Sequence, residues 1–195
     1  MNMANKITIL RILLIPLIIV LLQPYPPWIV IEIPFFGHLN EWGIYYGAFL
    51  FLLTAATDKL DGYIARKYKI ETNLGKLLDP LADKLLVLVT LIMLVNLHMI
   101  QSWVVTIIIS REIIVTALRL VATTKGVVLA ADNYGKLKMV FQVIAITSLL
   151  LNNYPFALVT DLRIDHMLMF IAILLTLYSG FNYIKTNYRK LQLNV

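Results

Sequence analysis

The most informative stretch of this chain runs from residue 57 to residue 84. It reads TDKLDGYIAR at 57–66, KYKIETNL at 67–74 and GKLLDPLADK at 75–84. Its four aspartates are Asp58, Asp61, Asp79 and Asp83. Residues three or four apart share one face of a helix, so each pair predicts an acidic helix face. Because the link between the two helices is short, we expect antiparallel neighbours whose acidic faces meet.

The rest of the chain is strongly apolar. Of its 195 residues, 60% are apolar and 14% are charged, and the mean hydropathy is +0.81. A soluble domain averages about 45–50% apolar and about 25% charged residues, and a chain of this size has too little interior to hide the excess. The composition excludes a soluble enzyme and a disordered tail. The absence of cysteine excludes a disulfide scaffold. We predict a single all-α integral membrane domain over residues 1–195.

Apolar runs of about 20 residues, the length that crosses a bilayer, occur six times. We predict transmembrane helices at 7–22, 42–68, 75–97, 102–124, 134–153 and 165–186. The proline-rich link 23–40 is predicted to be too broken for a helix. A signal peptide is the competing interpretation of the first run. No small-residue cleavage site follows that run, so we expect a retained helix.

The distribution of charge predicts the orientation in the membrane. With both termini in the cytoplasm, the inner side holds 16 of the 17 Lys and Arg residues, and Arg163 is the exception. Cytoplasmic segments of membrane proteins carry such an excess. We therefore assign the net charge of +6 to topology and expect no nucleic-acid partner. The three histidines map to the outer side, where we expect them at the membrane interface: His38, His98 and His166.

The four aspartates need a partner, because carboxylates in one cleft repel each other strongly at low dielectric. Protonation and a divalent cation are two ways to neutralise them. Sites built only of carboxylates suit hard ions such as Mg²⁺, Mn²⁺ or Ca²⁺, and two such ions could share four carboxylates. The structural alternative is ion pairing with neighbouring bases of the same stretch: Lys59, Arg66, Lys76 and Lys84.

The stretch resembles the signature of the CDP-alcohol phosphotransferases, D-x2-D-G-x2-A-R-x8-G-x3-D-x3-D. Every position is filled, by Asp58, Asp61, Gly62, Ala65, Arg66, Gly75, Asp79 and Asp83. The six-helix plan is also similar. The resemblance implies transfer of a phosphatidyl or similar group from a CDP-linked donor to an alcohol, with release of CMP. It also implies a homodimer in the cell membrane, with the active site at the cytoplasmic face.

The resemblance also implies a role for each signature residue. Asp58, Asp61 and Asp79 would hold a first metal ion, Mg²⁺ or Mn²⁺. Asp61, Asp79 and Asp83 would hold a second, and Asp83 would be the general base. Gly62, Ala65 and Gly75 would line the cytidine site, and Arg66 would contact the diphosphate.

A second cluster, in the fourth and fifth predicted helices, is basic. Its cations are Arg111, Arg119, Lys136 and Lys138, and Glu112 can balance only part of their charge. Arg111 and Arg119 are about two turns apart and roughly share a face. One interpretation is a structural ion network. The other is an anion site, because Arg and Lys bind phosphate well. A second phosphate site implies a phosphorylated acceptor, and glycerol-3-phosphate and inositol phosphate both qualify.

The N-terminal run with Asn5, Thr8 and Arg11 resembles the bacterial members of the family that use glycerol-3-phosphate. An ordinary helix cap and a positive-inside anchor are the simpler interpretation of Thr8 and Arg11. We expect CDP-diacylglycerol as donor and sn-glycerol-3-phosphate as acceptor, with membrane lipids around the acyl chains. Another acceptor within the family, inositol phosphate or phosphatidylglycerol, is the alternative. From other classes, a divalent metal transporter and a structural subunit remain.

Overall fold

The chain forms a bundle of helices. The computed structural model describes residues 3–68, 73–124 and 133–187, without the side chains of 3–8, 58–68, 73–80, 83 and 133. Six long helices and two short ones occupy these ranges: α1 (Met3–Leu22), α2 (Pro27–Glu32), α3 (Pro34–Tyr68), α4 (Asn73–Asn96), α5 (Ser102–Thr124), α6 (Asn133–Leu150), a 3₁₀ turn (Phe156–Leu158) and α7 (Ile164–Asn187). The described ranges contain no strand, so the prediction of an all-α chain is confirmed.

The prediction for the proline-rich link was wrong. Residues 27–32 form the short helix α2, and α3 begins at Pro34, eight residues before the predicted start at Trp42. Pro27 and Pro34 each stand at the first position of a helix. There the missing N–H has no intrahelical partner to lose, and the fixed φ of proline already suits the helix. The prolines therefore start these helices instead of breaking them.

Close packing of α1 on α3 depends on two glycines one turn apart. A Cβ on Gly43 would overlap the carbonyl oxygen of Leu21, and a Cβ on Gly47 would overlap the side chain of Leu22. In a lipid environment, association between helices depends on van der Waals packing rather than on escape from water, so small residues that let backbones approach are favoured at helix contacts. Substituting either glycine would force α1 away from α3.

The core lies where all six long helices meet. The α1 helix packs on α3 and α4, α6 packs on α3, α4 and α7, and α5 packs on α4 and α7. The largest fully buried apolar side chains lie on α1, α3, α4, α5 and α6: Ile18, Leu22, Phe51, Leu91, Leu94, Ile108, Ile146, Leu149 and Leu150. Helix α7 adds Met169, Ala172 and Ile173 to the core. This arrangement places the later turns of α5 beside the later turns of α7, where the polar groups of the next section lie.

Many large apolar side chains lie on the exterior of the bundle. Large apolar side chains on four helices are 57–69% exposed: Leu13, Phe49, Ile113, Leu120, Phe170 and Phe181. Soluble monomers rarely expose apolar surface on this scale. Among the described residues, α7 is long and apolar enough to cross a membrane, while the apolar runs Ile9–Leu22 and Lys84–Asn96 are shorter. Six long helices are present, and the number of membrane crossings stays a prediction.

Candidate active site

The four aspartates lie near the ends of two helices that contact each other. Asp58 and Asp61 belong to the last turns of α3, and Asp79 and Asp83 belong to the first turns of α4. The two helices pack together, and only four residues of sequence separate the end of α3 from the start of α4. The two helices predicted to carry the aspartates are therefore present and in contact, and the meeting of their acidic faces stays a prediction. The side chains of the tetrad lie outside the described residues, as do those of Gly62, Ala65, Arg66 and Gly75.

Glu112 is the centre of the basic cluster. Its Oε1 accepts a 3.0 Å hydrogen bond from Nη1 of Arg111, and the same oxygen pairs with Nζ of Lys138. Lys138 is almost fully buried, and the other two side chains are largely buried. One oxygen of Glu112 thus holds both Arg111, its neighbour in α5, and Lys138 of α6.

Lys84 extends this cluster to α4. Its Nζ donates a 2.6 Å hydrogen bond to Oγ1 of Thr116, which lies one turn after Glu112 and donates in turn to the Glu112 carbonyl oxygen. The charge of Lys84 interacts with those of Glu112, Arg111 and Arg119. Because Lys84 directly follows Asp83, the cluster begins one residue from the acidic tetrad.

Helix α7 contributes the far side of the cluster. Nη2 of Arg111 donates a 2.6 Å hydrogen bond to Oγ of Ser179, and Nε of Arg119 donates a 3.3 Å bond to the hydroxyl of Tyr183. The Arg119 guanidinium also lies over the Tyr183 ring, 5.4 Å from its centroid. Both arginines of α5 are therefore held by hydroxyl groups of one neighbouring helix.

The described side chains of this cluster carry more positive than negative charge. Four cations, Lys84, Arg111, Arg119 and Lys138, accompany one carboxylate, that of Glu112, which leaves an excess of three positive charges. Nε of Arg111 is buried, and no hydrogen-bond partner for it lies among the described residues. An unpaired buried donor costs about 1–3 kcal/mol. The cluster thus has the excess positive charge with which to bind an anion.

The structure separates the two lysines predicted to act together. Lys138 is buried in the cluster, whereas Lys136 is exposed on another side of α6. Residues two apart on a helix point about 200° away from each other, so the two cannot share a face. Arg11, in α1, is buried. The side chains of Asn5 and Thr8 lie outside the described residues.

Sequence reasoning missed the contribution of α7. Its polar residues Thr176, Ser179, Tyr183 and Asn187 recur at three- and four-residue spacing within an apolar helix, and all four are buried. Such a stripe on one helix face is a signal that the sequence contains. Its partner on α5 is not readable from spacing, because it depends on how the two helices pack. Lys84 was considered only as an ion-pair partner of the aspartates.

Two of the histidines lie at the opposite end of the helices. His98 and His166 line an open cavity of about 770 Å³ at the end of α4, the start of α5 and the start of α7. Trp103, Met99 and Phe170 supply apolar walls. The cavity is far along these helices from Lys84 and Ser179, so neither histidine belongs to the basic cluster.

The amino-acid sequence was compared with protein families and with known proteins, and both comparisons found relatives. A family model described as CDP-alcohol phosphatidyltransferase matches residues 1–178. The chain is 45% identical to the CDP-diacylglycerol–glycerol-3-phosphate 3-phosphatidyltransferase of Bacillus subtilis, covering 98% of this chain and 97% of that protein. It is 34% identical to the protein of the same name in Rickettsia typhi, over 94% and 96%. A probable phosphatidylglycerophosphate synthase of Mycobacterium tuberculosis is 34% identical, over 94% and 80%.

Proposed function

Since the chain belongs to the CDP-alcohol phosphatidyltransferase family, we propose that it transfers the phosphatidyl group of CDP-diacylglycerol to sn-glycerol-3-phosphate. The products are phosphatidylglycerophosphate and CMP, so the protein acts in phospholipid synthesis. Relatives that share almost the whole chain carry the names of this activity. The observation in the structure that carries the proposal is the buried cluster of cations beside the acidic helix ends. The reaction needs two adjacent sites, one for the diphosphate of the lipid donor and one for the phosphate of the acceptor.

The acidic helix ends fit a divalent metal. Four carboxylates from two contacting helices offer the oxygen ligands that Mg²⁺ and Mn²⁺ prefer, and the family generally depends on a divalent metal. Asp58, Asp61 and Asp79 would hold one ion, and Asp61, Asp79 and Asp83 a second. When bound, such ions offset negative charge on the diphosphate and on the departing CMP.

The remaining signature residues bind and activate the substrates. Gly62, Ala65 and Gly75 leave room for the cytidine, and Arg66 contacts the diphosphate. Asp83 accepts the proton of the glycerol hydroxyl, as a carboxylate within hydrogen-bond reach can do. The hydroxyl oxygen then bonds to the lipid-side phosphorus, and the bond from that phosphorus to the CMP oxygen breaks.

The basic cluster binds the phosphate of the acceptor. A glycerol-3-phosphate dianion would offset two of the three excess positive charges, and guanidinium groups bind phosphate with paired hydrogen bonds. Arg111, Arg119 and Lys138 are the main contacts, and Lys84 joins the cluster to Asp83. Asn5, Thr8 and Arg11 of α1 are further candidates for the acceptor site, whereas Lys136 lies on another side of α6 from Lys138.

The proposed placement in the membrane follows from charge. Both termini and the active site lie on the cytoplasmic side of the cell membrane, six helices cross it, and residues 1–195 form one domain. The acyl chains of CDP-diacylglycerol lie among membrane lipids along the apolar exterior, where the donor meets the aspartates at the inner helix ends. We further propose that the functional unit is a homodimer.

Kinetics of Arg119→Ala test this assignment. If the cluster binds the acceptor phosphate, KM for glycerol-3-phosphate rises by about tenfold or more. This is the change expected when one hydrogen bond to a charged group is lost. KM for CDP-diacylglycerol stays within about twofold. Arg163→Ala, at the residue that precedes α7, is the control far from the cluster and leaves both constants unchanged. Equal losses for the two substrates in Arg119→Ala would identify a structural ion network instead.

A further inference from the structure

The buried polar face of α7 contacts the basic cluster at two points. Ser179 and Tyr183 are four residues apart and therefore lie on one face of the helix, with Gly180 beside them. Ser179 and Tyr183 are almost fully buried although each carries a hydroxyl. Buried hydroxyls require hydrogen-bond partners, and the arginines of α5 supply them. None of these three residues belongs to the aspartate signature.

Each contact restrains one guanidinium group. The 2.6 Å bond to Ser179 and the 3.0 Å bond to Glu112 hold the two terminal nitrogens of Arg111 in different directions. The 3.3 Å bond to Tyr183 and the stacking over its ring hold Arg119. Arginine has a long and flexible side chain, and two anchors per guanidinium remove most of its rotational freedom before any ligand arrives.

Gly180 leaves space where a side chain would displace Arg111. A Cβ at this position would lie 3.0 Å from Cγ and 3.5 Å from Nε of Arg111. For this buried Nε the part of the chain that the structure describes supplies no hydrogen-bond partner. Glycine at position 180 therefore lets Arg111 lie against α7.

We propose that Ser179, Gly180 and Tyr183 form a positioning surface that fixes Arg111 and Arg119 for the phosphate of the acceptor, and so determines selectivity for a phosphorylated acceptor. The proposal rests on the proposed function, because it assigns these arginines to the acceptor site. The three residues act through the arginines and are positioning residues, not catalytic ones. Their loss weakens binding of the acceptor phosphate and leaves the donor site intact.

Steady-state kinetics of Ser179→Ala and Tyr183→Phe test the proposal on the full-length protein in detergent micelles. Each variant removes one hydroxyl and keeps the packing, since Phe retains the ring under Arg119. We expect KM for glycerol-3-phosphate to rise about tenfold in each, the value of a hydrogen bond to a charged group. KM for CDP-diacylglycerol stays within about twofold. Gly180→Ala raises KM for glycerol-3-phosphate in the same way by displacing Arg111.

Two matched controls on α7 separate positioning from stability. Thr176→Ala removes a buried hydroxyl one turn earlier that bonds Gln142 and the backbone but no arginine. Tyr178→Phe removes the hydroxyl of an exposed tyrosine and keeps the ring that contacts Tyr134. Both controls keep the wild-type KM for glycerol-3-phosphate, even if Thr176→Ala lowers the unfolding midpoint.

Three results would overturn the proposal. They are unchanged KM for glycerol-3-phosphate in Ser179→Ala and Tyr183→Phe, equal rises for both substrates, or the same rise in Thr176→Ala. Failure of the proposed function looks different, because the wild-type protein would then not use glycerol-3-phosphate. If Arg119→Ala raises this KM and the α7 variants do not, the acceptor site stands and the positioning surface is rejected.

Discussion

Replacing Glu112 by Gln tests the basic cluster through stability. The substitution keeps the size of the side chain and removes the carboxylate that both Arg111 and Lys138 contact. Those two side chains are 12% and 4% exposed, so neither gains much hydration when its partner is lost. Removing one partner of a buried ion pair costs about 3–5 kcal/mol, whereas an exposed pair is worth about 0.2–1 kcal/mol. We expect a loss of at least about 3 kcal/mol.

Unfolding of the purified protein in mixed micelles, titrated with sodium dodecyl sulfate and followed by circular dichroism, measures this loss. Glu41→Gln, the same change at an exposed position of α3, is the matched control and shifts the free energy of unfolding by less than about 0.5 kcal/mol. The double variant Glu112→Gln/Lys138→Met should regain part of the stability, because it removes one of the two stranded charges. A loss below about 1 kcal/mol for Glu112→Gln, or additive losses in the double variant, would refute the reasoning.

Three further predictions concern the acidic helix ends and the opposite end of the bundle. Asp83→Asn should lower the rate of CMP release about 10²-fold or more, the usual contribution of a general base, while the circular dichroism spectrum stays that of the wild type; retained turnover would remove Asp83 as the base. Chelation of divalent metal with EDTA should stop CMP release and added Mg²⁺ should restore it; release that continues in EDTA would contradict a metal site. Asp165→Asn weakens the two hydrogen bonds from Arg163, at 2.8 and 3.1 Å, and should lower the free energy of unfolding by about 1–3 kcal/mol. KM for glycerol-3-phosphate should not change. A change in that KM would show that this end of the bundle affects the acceptor site.

The long helices were predictable because their apolar runs are long and their ends carry clear signals. The helix predicted at 102–124 coincides with α5, and the one predicted at 75–97 differs from α4 by two residues at its start and one at its end. Residues 23–40 were mispredicted, because the effect of a proline depends on its position. At a first helical position it favours the helix, and in the interior it breaks it. Composition alone does not distinguish these two positions.

The sequence predicts the acidic part of the candidate site more completely than the basic part. The aspartates follow from spacing within two helices that are adjacent in sequence, so local information suffices. The contacts of Arg111 and Arg119 with Ser179 and Tyr183 join positions 64 and 68 residues apart. No periodicity within one helix reports which face of another helix it meets. For Lys136 the helix geometry alone would have excluded a face shared with Lys138.

Release of CMP from CDP-diacylglycerol, measured with the purified protein, Mg²⁺ and a panel of acceptors, tests the central claim most directly. The panel contains glycerol-3-phosphate, glycerol, inositol phosphate and phosphatidylglycerol. We predict that glycerol-3-phosphate supports release and yields phosphatidylglycerophosphate, while glycerol, which lacks the phosphate, supports little. Release with inositol phosphate or phosphatidylglycerol and none with glycerol-3-phosphate would contradict the proposed function.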